Sequence, residues 1–355
     1  MRVFRRRPML GMALVSLVAT AVGIAISLAI DWFPPQASTA AEDIDHLWDV
    51  LLIASVPIFV LVMSVAIYSV LLFRAKPGDL SDGAPIHGNT KLEIVWVTIP
   101  FIMVSALAAY GWVVLNDIEE KQANDMVVNV TAQQFAWRFD YPDEGKVKSN
   151  QLVLAKDRPV EFHVRTEDVL HDFWVPEFRL KTDAVPGLTT KIRVTPSRLG
   201  EYEVVCAELC GLGHSTMRQN VRVLSQPEFD TWLASEQDKE GNGGGTAAGG
   251  DAAAAGKSVF TGDGGCTACH TLADAGSASA IGPGLDELAA NAEKFGKQEG
   301  QSPEEYVRTA IEDPNAFLVP DYNDGVMPAD FEKRLSSAEI DTLVKYLLSV
   351  SGGGK

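Results

Sequence analysis

The segment Val204-Val-Cys-Ala-Glu-Leu-Cys-Gly-Leu-Gly-His-Ser-Thr-Met217 places two thiols, an imidazole and a thioether close together along the chain. They follow the pattern Cys-x3-Cys-x3-His-x2-Met, and His171 stands upstream, after another run of residues typical of a strand. Two glycines in the segment allow so short a loop to fold back on itself. We therefore expect these side chains to converge on a metal site.

Sulfur ligands together with imidazole favour copper among the first-row metals. Zinc also accepts two cysteines and two histidines, but such a site has no need of Met217. A mononuclear blue copper site needs only one cysteine. Two thiolates can each bridge two copper ions, and such a pair changes its geometry little on reduction, as rapid electron transfer requires. The second cysteine therefore favours a dinuclear copper site. The alternative is a structural disulfide between Cys206 and Cys210.

Short alternating runs surround this segment. Runs such as 126–130, 159–164 and 220–224 alternate apolar and polar residues and are separated by proline, glycine and aspartate. This period of two predicts an all-β sandwich or barrel. The same alternation places His163 on the polar face of its strand, so we expect it to face solvent and not to bind the metal.

The charge of the chain excludes one class of partner. Its net charge is −17, and the first seven residues alone contain four arginines, so the remainder is markedly acidic. Binding to nucleic acid requires a basic footprint, and we expect no such binding here. An acidic surface suits a basic protein partner, with simple solubility as the alternative.

Three uncharged apolar blocks, 9–30, 50–73 and 94–115, precede the β-rich region. As helices rising about 1.5 Å per residue, each is long enough to cross the hydrocarbon core of a bilayer. Positive residues between the second and third blocks place that loop in the cytoplasm, so the chain beyond residue 117 is extracytoplasmic. We expect the first block to be a retained span, the alternative being a cleaved signal peptide.

A second module follows a run rich in glycine and alanine. Residues 238–256 contain nothing large to bury, and as a random coil they would span roughly 24 Å, so we expect a flexible tether. Beyond it, Cys266-Thr-Ala-Cys-His270 is the signature of c-type haem attachment. Its thiols (Cys266 and Cys269) would form thioethers, and His270 would bind the iron. A redox dithiol or half of a zinc site is the alternative.

The second axial ligand of such a haem is expected to be a methionine on a downstream loop. Met327, in Asp324-Gly-Val-Met-Pro-Ala329, is the one methionine after the attachment motif, and it stands outside any helical pattern. Capping-box patterns predict helices on either side of it, one starting at Ser302 and the other at Ser336. We expect Met327 to bind the iron.

Residues from about 47 to 224 resemble subunit II of cytochrome c oxidase in the metal-binding loop, the strands and the pair of apolar blocks. The resemblance implies a cupredoxin-like Greek-key barrel anchored by a hairpin of transmembrane helices. It also implies a dinuclear copper centre of the CuA type, with Cys206 and Cys210 bridging the two ions. The remaining copper ligands that it implies are His171, His214, Met217 and the backbone carbonyl of Glu208.

The same resemblance assigns further roles. It implies that the Glu208 side chain helps to hold a magnesium ion at the contact with subunit I, and that the stretch 181–187 faces that subunit. Leu92-Glu-Ile-Val-Trp-Val-Thr-Ile-Pro100 resembles the second helix of the family's hairpin, where Glu93 stands at the entrance of a proton channel. A simple interfacial position at the helix end is the alternative for Glu93.

Two positions depart from the family's pattern. Members that take electrons from soluble cytochrome c usually carry tryptophan where this chain has Phe135, whereas Trp137 is retained. Both residues are candidates for the place where electrons enter. Leu188 stands where the family has an arginine, so any contact of that arginine is lost or replaced.

The C-terminal module resembles a small class I cytochrome c, and Ile281-Gly-Pro-Gly-Leu285 is similar to the loop that follows its haem motif. We therefore expect a membrane-anchored chain with N-terminal transmembrane helices, an all-β cupredoxin-like Greek-key barrel and an all-α cytochrome c domain. The predicted divisions are an N-terminal apolar segment with a loop (1–46), a transmembrane hairpin (47–118), the copper domain (119–237), the tether (238–256) and the cytochrome domain (257–355).

These resemblances imply an electron-transfer subunit of a terminal respiratory oxidase in a bacterial plasma membrane. A cytochrome c or a cytochrome bc-type complex would give electrons to haem c, and the copper pair would pass them to subunit I. That subunit, with subunit III beside it, would reduce O2 to water and pump protons. Three alternatives are a copper-delivery protein, a quinol-oxidising relative without the copper ligands, and a nitrous oxide reductase. None accounts for the copper ligands, the hairpin and the haem motif together.

Overall fold

The computed structural model describes residues 8–72, 74, 77–78, 82, 85–122, 124–241, 252–262, 264–329 and 331–352. It divides into two compact units. The first unit comprises Met1–Gln36 with Ala40–Glu120, and the second comprises Ala37–Thr39 with Lys121–Lys355. The middle of the predicted tether, residues 242–251, lies outside the described residues.

Three long helices form the first unit: α1 (Pro8–Leu28), α2 (Ala40–Leu72) and α3 (Thr90–Glu119). Their surfaces are largely apolar and exposed, and by length and composition each could cross a membrane. A helix satisfies its interior backbone hydrogen bonds within itself, as a segment in hydrocarbon must. The three apolar blocks are therefore helices, as predicted, and α2 and α3 extend beyond their blocks into polar flanks.

Asn89 caps the start of α3. Its side chain accepts a hydrogen bond from the Leu92 N–H at 3.2 Å, and its own N–H donates to Oε1 of Glu93 at 3.1 Å. These two bonds satisfy N–H groups that the first turn of a helix leaves unpaired. Glu93 thus has a structural role in the helix cap, and its role in a proton channel stays a prediction.

Two five-stranded sheets open the second unit and share one hydrophobic core. The strands are β1 (Met126–Gln133), β2 (Ala136–Tyr141), β3 (Val147–Ser149), β4 (Leu152–Ala155), β5 (Val160–Thr166), β6 (His171–Trp174), β7 (Lys181–Ala184), β8 (Thr190–Val194), β9 (Gly200–Cys206) and β10 (Arg218–Leu224).

The strand order is β3-β2-β1-β5-β8 in one sheet and β4-β10-β9-β6-β7 in the other. β1 pairs antiparallel with β2 but parallel with β5, and β10 pairs antiparallel with β9 but parallel with β4. Neighbours that are distant in sequence require the chain to cross between the sheets, as in Greek-key barrels. The all-β domain predicted from the alternating runs is confirmed.

Alternation along β5 shows how the sequence selects the buried face. Val160, Phe162 and Val164 lie in the core, and His163 is half-buried on the other face. The Nε2 atom of His163 lies 2.6 Å from the carboxylate of Glu161. His163 therefore has the structural role that the period of two predicts.

Helices extend into both ends of the predicted tether. After the barrel, α4 (Gln226–Gly241) covers its first residues, and α5 (Ala252–Thr261) covers its last. Alanine is the strongest helix former, and Gly256 approaches Tyr346 so closely that a Cβ would not fit between them. The C-terminal domain therefore begins at α5, earlier than the composition predicted.

The C-terminal domain packs its helices around a second hydrophobic core. Beside α5, it contains α6 (Leu288–Glu299), α7 (Pro303–Glu312), α8 (Phe331–Arg334) and α9 (Ser337–Val350), with a short hairpin of β11 (Thr271–Leu272) and β12 (Ser277–Ala278). Both predicted capping boxes are present, Ser302 with Glu305 and Ser336 with Glu339. The predicted all-α cytochrome-like domain is thus confirmed apart from this hairpin.

Candidate functional site

Strand pairing brings the distant histidine to the metal-binding loop. β6 lies antiparallel to β9, with Phe173 opposite Cys206. His171 begins β6 two residues before Phe173, on the same face of the strand. Its ring therefore lies beside the loop that follows Cys206.

The loop itself is closed at its base by the backbone. The N–H of Cys206 donates to the carbonyl of Met217 at 3.2 Å, and a 3₁₀ turn, His214–Thr216, directs the chain back into β10. Gly211 has a φ of +135°, a conformation that residues with side chains rarely adopt. The predicted folding-back of the loop is therefore observed.

All the predicted copper ligands converge. Donor atoms that bind one ion at about 2.0–2.3 Å are no more than about 4.6 Å apart. The separations are 3.8 Å for Cys206 Sγ to Cys210 Sγ, 3.9 Å for Cys206 Sγ to His171 Nδ1, 3.7 Å for Cys210 Sγ to His214 Nδ1, 3.8 Å for Cys210 Sγ to Met217 Sδ, and 3.1 Å for Cys206 Sγ to the Glu208 carbonyl oxygen. The two cysteines are free thiols.

Burial and the contact between the two sulfurs together set the pKa values of these thiols. Cys206 and Cys210 are both buried. The hydrogen bond between the two sulfurs lowers the pKa of Cys206, and the same bond together with burial raises the pKa of Cys210. The first proton thus leaves readily, but loss of the second would place two anions side by side away from water. Cations bound between the sulfurs remove this repulsion, so the donor set fits a pair of copper ions.

Asp168 orients the histidine. Oδ1 of Asp168 lies 2.8 Å from Nε2 of His171, which leaves Nδ1 directed at the Cys206 sulfur. Burial disfavours the charged ring, but hydrogen bonds to Asp168 and Cys206 outweigh it and raise the pKa of His171. A carboxylate on the far nitrogen fixes the tautomer of a metal-binding histidine. Sequence reasoning missed Asp168, although an acid three residues before the ligand is a usable signal.

The turn between β1 and β2 packs against the metal-binding loop and supports it. The backbone N–H of Gln134 donates to Asp168 at 2.7 Å, and its side-chain amide donates to the carbonyl of Cys210 at 2.5 Å. The ring of Phe135 packs against Gly211 and Gly213, and a Cβ at Gly213 would collide with it. No local pattern in the sequence predicts these contacts, because they join residues far apart in the chain.

Trp137 and Glu208 differ in their exposure to solvent. Trp137 is buried in the barrel core, with its ring edge-on to His171 at a centroid separation of 6.2 Å. Glu208 has an exposed side chain. An exposed carboxylate beside the loop is accessible to a partner subunit, but its magnesium role stays a prediction, as does the entrance of electrons through Phe135 or Trp137.

The predicted haem ligands line one cleft in the C-terminal domain. The cleft measures about 1360 Å³ including solvent at its mouth, and its walls contain Cys266, Cys269, His270 and Met327. Cys266 begins a 3₁₀ turn (Cys266–Ala268) that Cys269 and His270 follow, and the His270 N–H donates to the Cys266 carbonyl at 3.0 Å. The motif and the distant methionine are therefore brought together, as a haem with two axial ligands requires.

His270 is oriented so that it could bind the iron of such a haem. Its Nδ1 lies 2.7 Å from the carbonyl oxygen of Pro283, so the other ring nitrogen is left to face the cleft. Gly282 packs so closely on the imidazole that a Cβ there would lie 2.6 Å from Cε1. Burial lowers the pKa of His270, which favours the neutral ring that binds iron. These residues fit a haem c.

The cleft extends to the barrel. Its lining includes the turn residues Gln134, Phe135 and Ala136, which also support the copper-binding loop. Ala268, between the two haem-motif cysteines, packs in the hydrophobic core of the barrel. The two candidate sites therefore share a wall within the second unit.

Three family models match this chain in succession. The transmembrane domain of cytochrome c oxidase subunit II matches residues 24–114, and the periplasmic domain of that subunit matches residues 146–224. Cytochrome c matches residues 253–351. The order is the one that the sequence predicted.

Two relatives illustrate the similarity. Cytochrome c oxidase subunit 2 of Synechocystis sp. is 30% identical over 273 residues, which span 62% of this chain and 82% of the relative. The subunit 2 of Alkalihalophilus pseudofirmus is 30% identical over 333 residues, 91% of this chain and 90% of the relative. The solved periplasmic domain of cytochrome oxidase subunit II from Bradyrhizobium japonicum is 28% identical, with a TM-score of 0.32, over 33% of this chain and 97% of that one.

Copper binding and haem binding follow from the matched families, as does electron transfer in a haem–copper oxidase. The transmembrane domain anchors the chain in a membrane, and the barrel is the family's periplasmic domain, outside the cytoplasm. By sequence, fold and domain order, the chain belongs to the cytochrome c oxidase subunit II family and carries an additional C-terminal cytochrome c domain.

Proposed function

We propose that this chain carries single electrons from a c-type donor, through a covalently bound haem c and a dinuclear copper centre, to subunit I of the oxidase. The observation that supports this path most strongly is the convergence of two thiols, an imidazole and a thioether from one loop with the imidazole of His171 from β6. One thiol would suffice for a single copper, and a structural zinc would not need Met217. Reduction of O2 and proton pumping belong to subunit I.

The copper pair, when bound, supplies a centre that accepts and releases one electron. The protein's part is to hold the ligands in one geometry for both charge states. Asp168 fixes the ring of His171, and Gln134 anchors the backbone of Cys210. The buried sulfurs keep water away from the pair. Ligands that do not move between the oxidised and reduced states lower the reorganisation energy of each electron transfer.

The haem-binding residues have an equivalent role in the C-terminal domain. Cys266 and Cys269 would attach the porphyrin, while His270 and Met327 would bind its iron from the walls of the cleft. Pro283 holds the ring of His270 through Nδ1. A methionine ligand raises the reduction potential of a haem iron, which suits a carrier that receives electrons from another c-type protein.

Partners and a membrane would surround this chain in the assembled oxidase. All three helices would cross a bacterial plasma membrane, with the barrel and the cytochrome domain on the outer side. Subunits I and III would lie beside this chain, and a soluble cytochrome c or a cytochrome bc-type complex would be the donor. The exposed Glu208 would help to bind magnesium against subunit I, and Glu93 would stand at a proton channel.

Rapid mixing of the purified oxidase with ferrous soluble cytochrome c tests the path. We expect the absorption of haem c to report its reduction first, followed by the loss of the copper band. A Cys206→Ser variant should retain reducible haem c but lose the copper and stop turnover. Ser215→Ala, an exposed residue in the same loop, is the matched control. Full turnover by Cys206→Ser would contradict the proposal.

A further inference from the structure

One hydroxyl joins the copper-binding loop to the haem-binding turn. Oγ1 of Thr216 lies 2.8 Å from the carbonyl oxygen of Ala268. In sequence, Thr216 precedes Met217 and Ala268 precedes Cys269. The bond therefore connects the immediate neighbours of a copper ligand and of a haem-attachment residue.

The same hydroxyl has a second acceptor within its own loop. Oγ1 of Thr216 also lies 2.8 Å from the carbonyl oxygen of Gly213. A hydroxyl has a single hydrogen, so it donates fully to one of these two oxygens at a time. The loop can therefore satisfy Thr216 by itself whenever the cytochrome domain moves away.

Neither carbonyl depends on the hydroxyl. The backbone N–H of Thr216 donates to the Gly213 oxygen at 3.0 Å, and the hydroxyl of Ser279 donates to the Ala268 oxygen at 2.7 Å. Exchange of the Thr216 hydrogen bond thus leaves no buried carbonyl without a partner. The contact can therefore break and re-form without leaving a buried polar group unsatisfied. Because the Gly213 oxygen already accepts a bond from the Thr216 N–H, the switch recovers only part of the hydrogen bond made in the docked state.

Apolar contacts surround this bond. Ala268 lies in the core of the barrel, and Cys269 packs against that core. Gly265 approaches Ala136 so closely that a Cβ there would lie 3.2 Å from the alanine methyl group. These apolar contacts bury surface but do not depend on orientation. The hydrogen bond is directional, so it sets how the haem-binding turn is aligned on the copper-binding loop.

We propose that Thr216 is a positioning residue for electron transfer between the two cofactors, acting through an exchangeable hydrogen bond to Ala268. The inference rests on the proposed function and deepens it. In the docked state the hydroxyl donates to Ala268, and in the undocked state to Gly213. One electron crosses per transfer, oxidising the haem iron by one unit and reducing the copper pair by one, with no bond made or broken. Tethering keeps docking frequent without making it permanent.

The test compares Thr216→Val, which keeps the shape of threonine, with Thr216→Ser, which keeps the hydroxyl, in the full oxidase. One readout is hydrogen–deuterium exchange of the peptides covering 211–217 and 264–270. The other is the rate at which flash-reduced haem c passes its electron to copper. Loss of one neutral hydrogen bond should weaken docking by about two- to tenfold.

Thr216→Val should therefore exchange faster in both peptides and transfer electrons more slowly, each by about two- to tenfold, with an unchanged copper spectrum. Thr216→Ser should behave as the wild type. Ser279→Ala, which removes a bond to the same carbonyl from inside the cytochrome domain, should not slow transfer.

Unchanged exchange and an unchanged rate in Thr216→Val would overturn the inference. Loss of the copper spectrum in that variant would overturn it too, because Thr216 would then be needed for the site itself. A wild-type oxidase that lacked copper or haem c in this subunit would instead refute the proposed function.

Discussion

The ring of Phe135 packs directly over the Cα of Gly213, leaving no room for a Cβ at that position. The backbone of Gly213 has a φ of −87°, which any residue can adopt, so the requirement for glycine is steric and not conformational. Phe135 also lines the haem cleft. One aromatic ring thereby links the shape of the copper-binding loop to the surface that the cytochrome domain covers.

Gly213→Ala is expected to displace the Phe135 ring or the loop and so to weaken copper binding. Overpacking of this kind costs about 1–3 kcal/mol, and about a thirtyfold loss of copper affinity would follow from the middle of that range. Copper content after dialysis against a chelator measures it. Because the collision is with Phe135, the double variant with Phe135→Leu should recover most of the copper. A double variant as weak as Gly213→Ala would show that Phe135 is not the obstacle.

Asp168→Ala should weaken copper binding by about 10–100-fold, the usual effect of removing the partner of a ligating histidine. Asp168→Asn, which keeps an oxygen acceptor for Nε2 of His171, should have a smaller effect. Competition with a copper chelator gives both affinities. If Asp168→Ala bound copper as tightly as the wild type, the carboxylate would have no part in orienting the ring.

Glu161 makes the stability of the barrel depend on pH. Hydrogen bonds from Lys191 and His163 lower the pKa of Glu161 from 4.5 to about 2, and Arg193 adds to the effect. An unfolded carboxyl group takes its proton near its ordinary pKa and the folded one only near 2. Stabilisation is therefore complete above about pH 4.5 and declines as the pH falls towards 2.

Glu161→Gln should lower the free energy of unfolding by about 1–3 kcal/mol at neutral pH, because it leaves several cations without their shared anion. Denaturant unfolding of the full chain in detergent, at pH 7 and at pH 3, measures the difference from the wild type. We expect the difference to shrink at pH 3. Glu201→Gln, on an exposed carboxylate of β9, is the control, and an equal difference at both pH values would contradict the assignment.

The Met327→Leu variant should keep the haem but change its reduction potential. Covalent attachment depends on Cys266 and Cys269, so the haem content should match the wild type. Loss of the thioether ligand should lower the reduction potential of the iron, since a methionine ligand raises it. A spectroelectrochemical titration of the purified chain measures the potential. An unchanged potential and spectrum would mean that another residue binds the iron.

Most of the proposed ligands could be predicted because they are close together in sequence. Cys206, Cys210, His214 and Met217 lie within one loop, and Cys266 to His270 form one motif, so spacing alone predicts their convergence. Period-two alternation likewise predicted the strands, and the capping boxes predicted α7 and α9 at their first residues.

Most of the supporting contacts could not be predicted in this way, although Asp168 stands only three residues before His171. Asp168 and Gln134 reach the site from loops on other strands, and their contacts depend on how the two sheets pack. The composition of the segment could not predict the start of α5 for a related reason. Alanine and glycine have nothing large to bury, but Gly256 lets that helix approach Tyr346, a contact visible only in three dimensions.

In the proposed site, two copper ions share the sulfurs of Cys206 and Cys210. Electron paramagnetic resonance of the copper-loaded full chain, free of other subunits, tests whether they do. We predict one unpaired electron coupled equally to two copper nuclei, together with two coppers per chain by elemental analysis. A spectrum with the hyperfine pattern of a single copper nucleus would contradict the account.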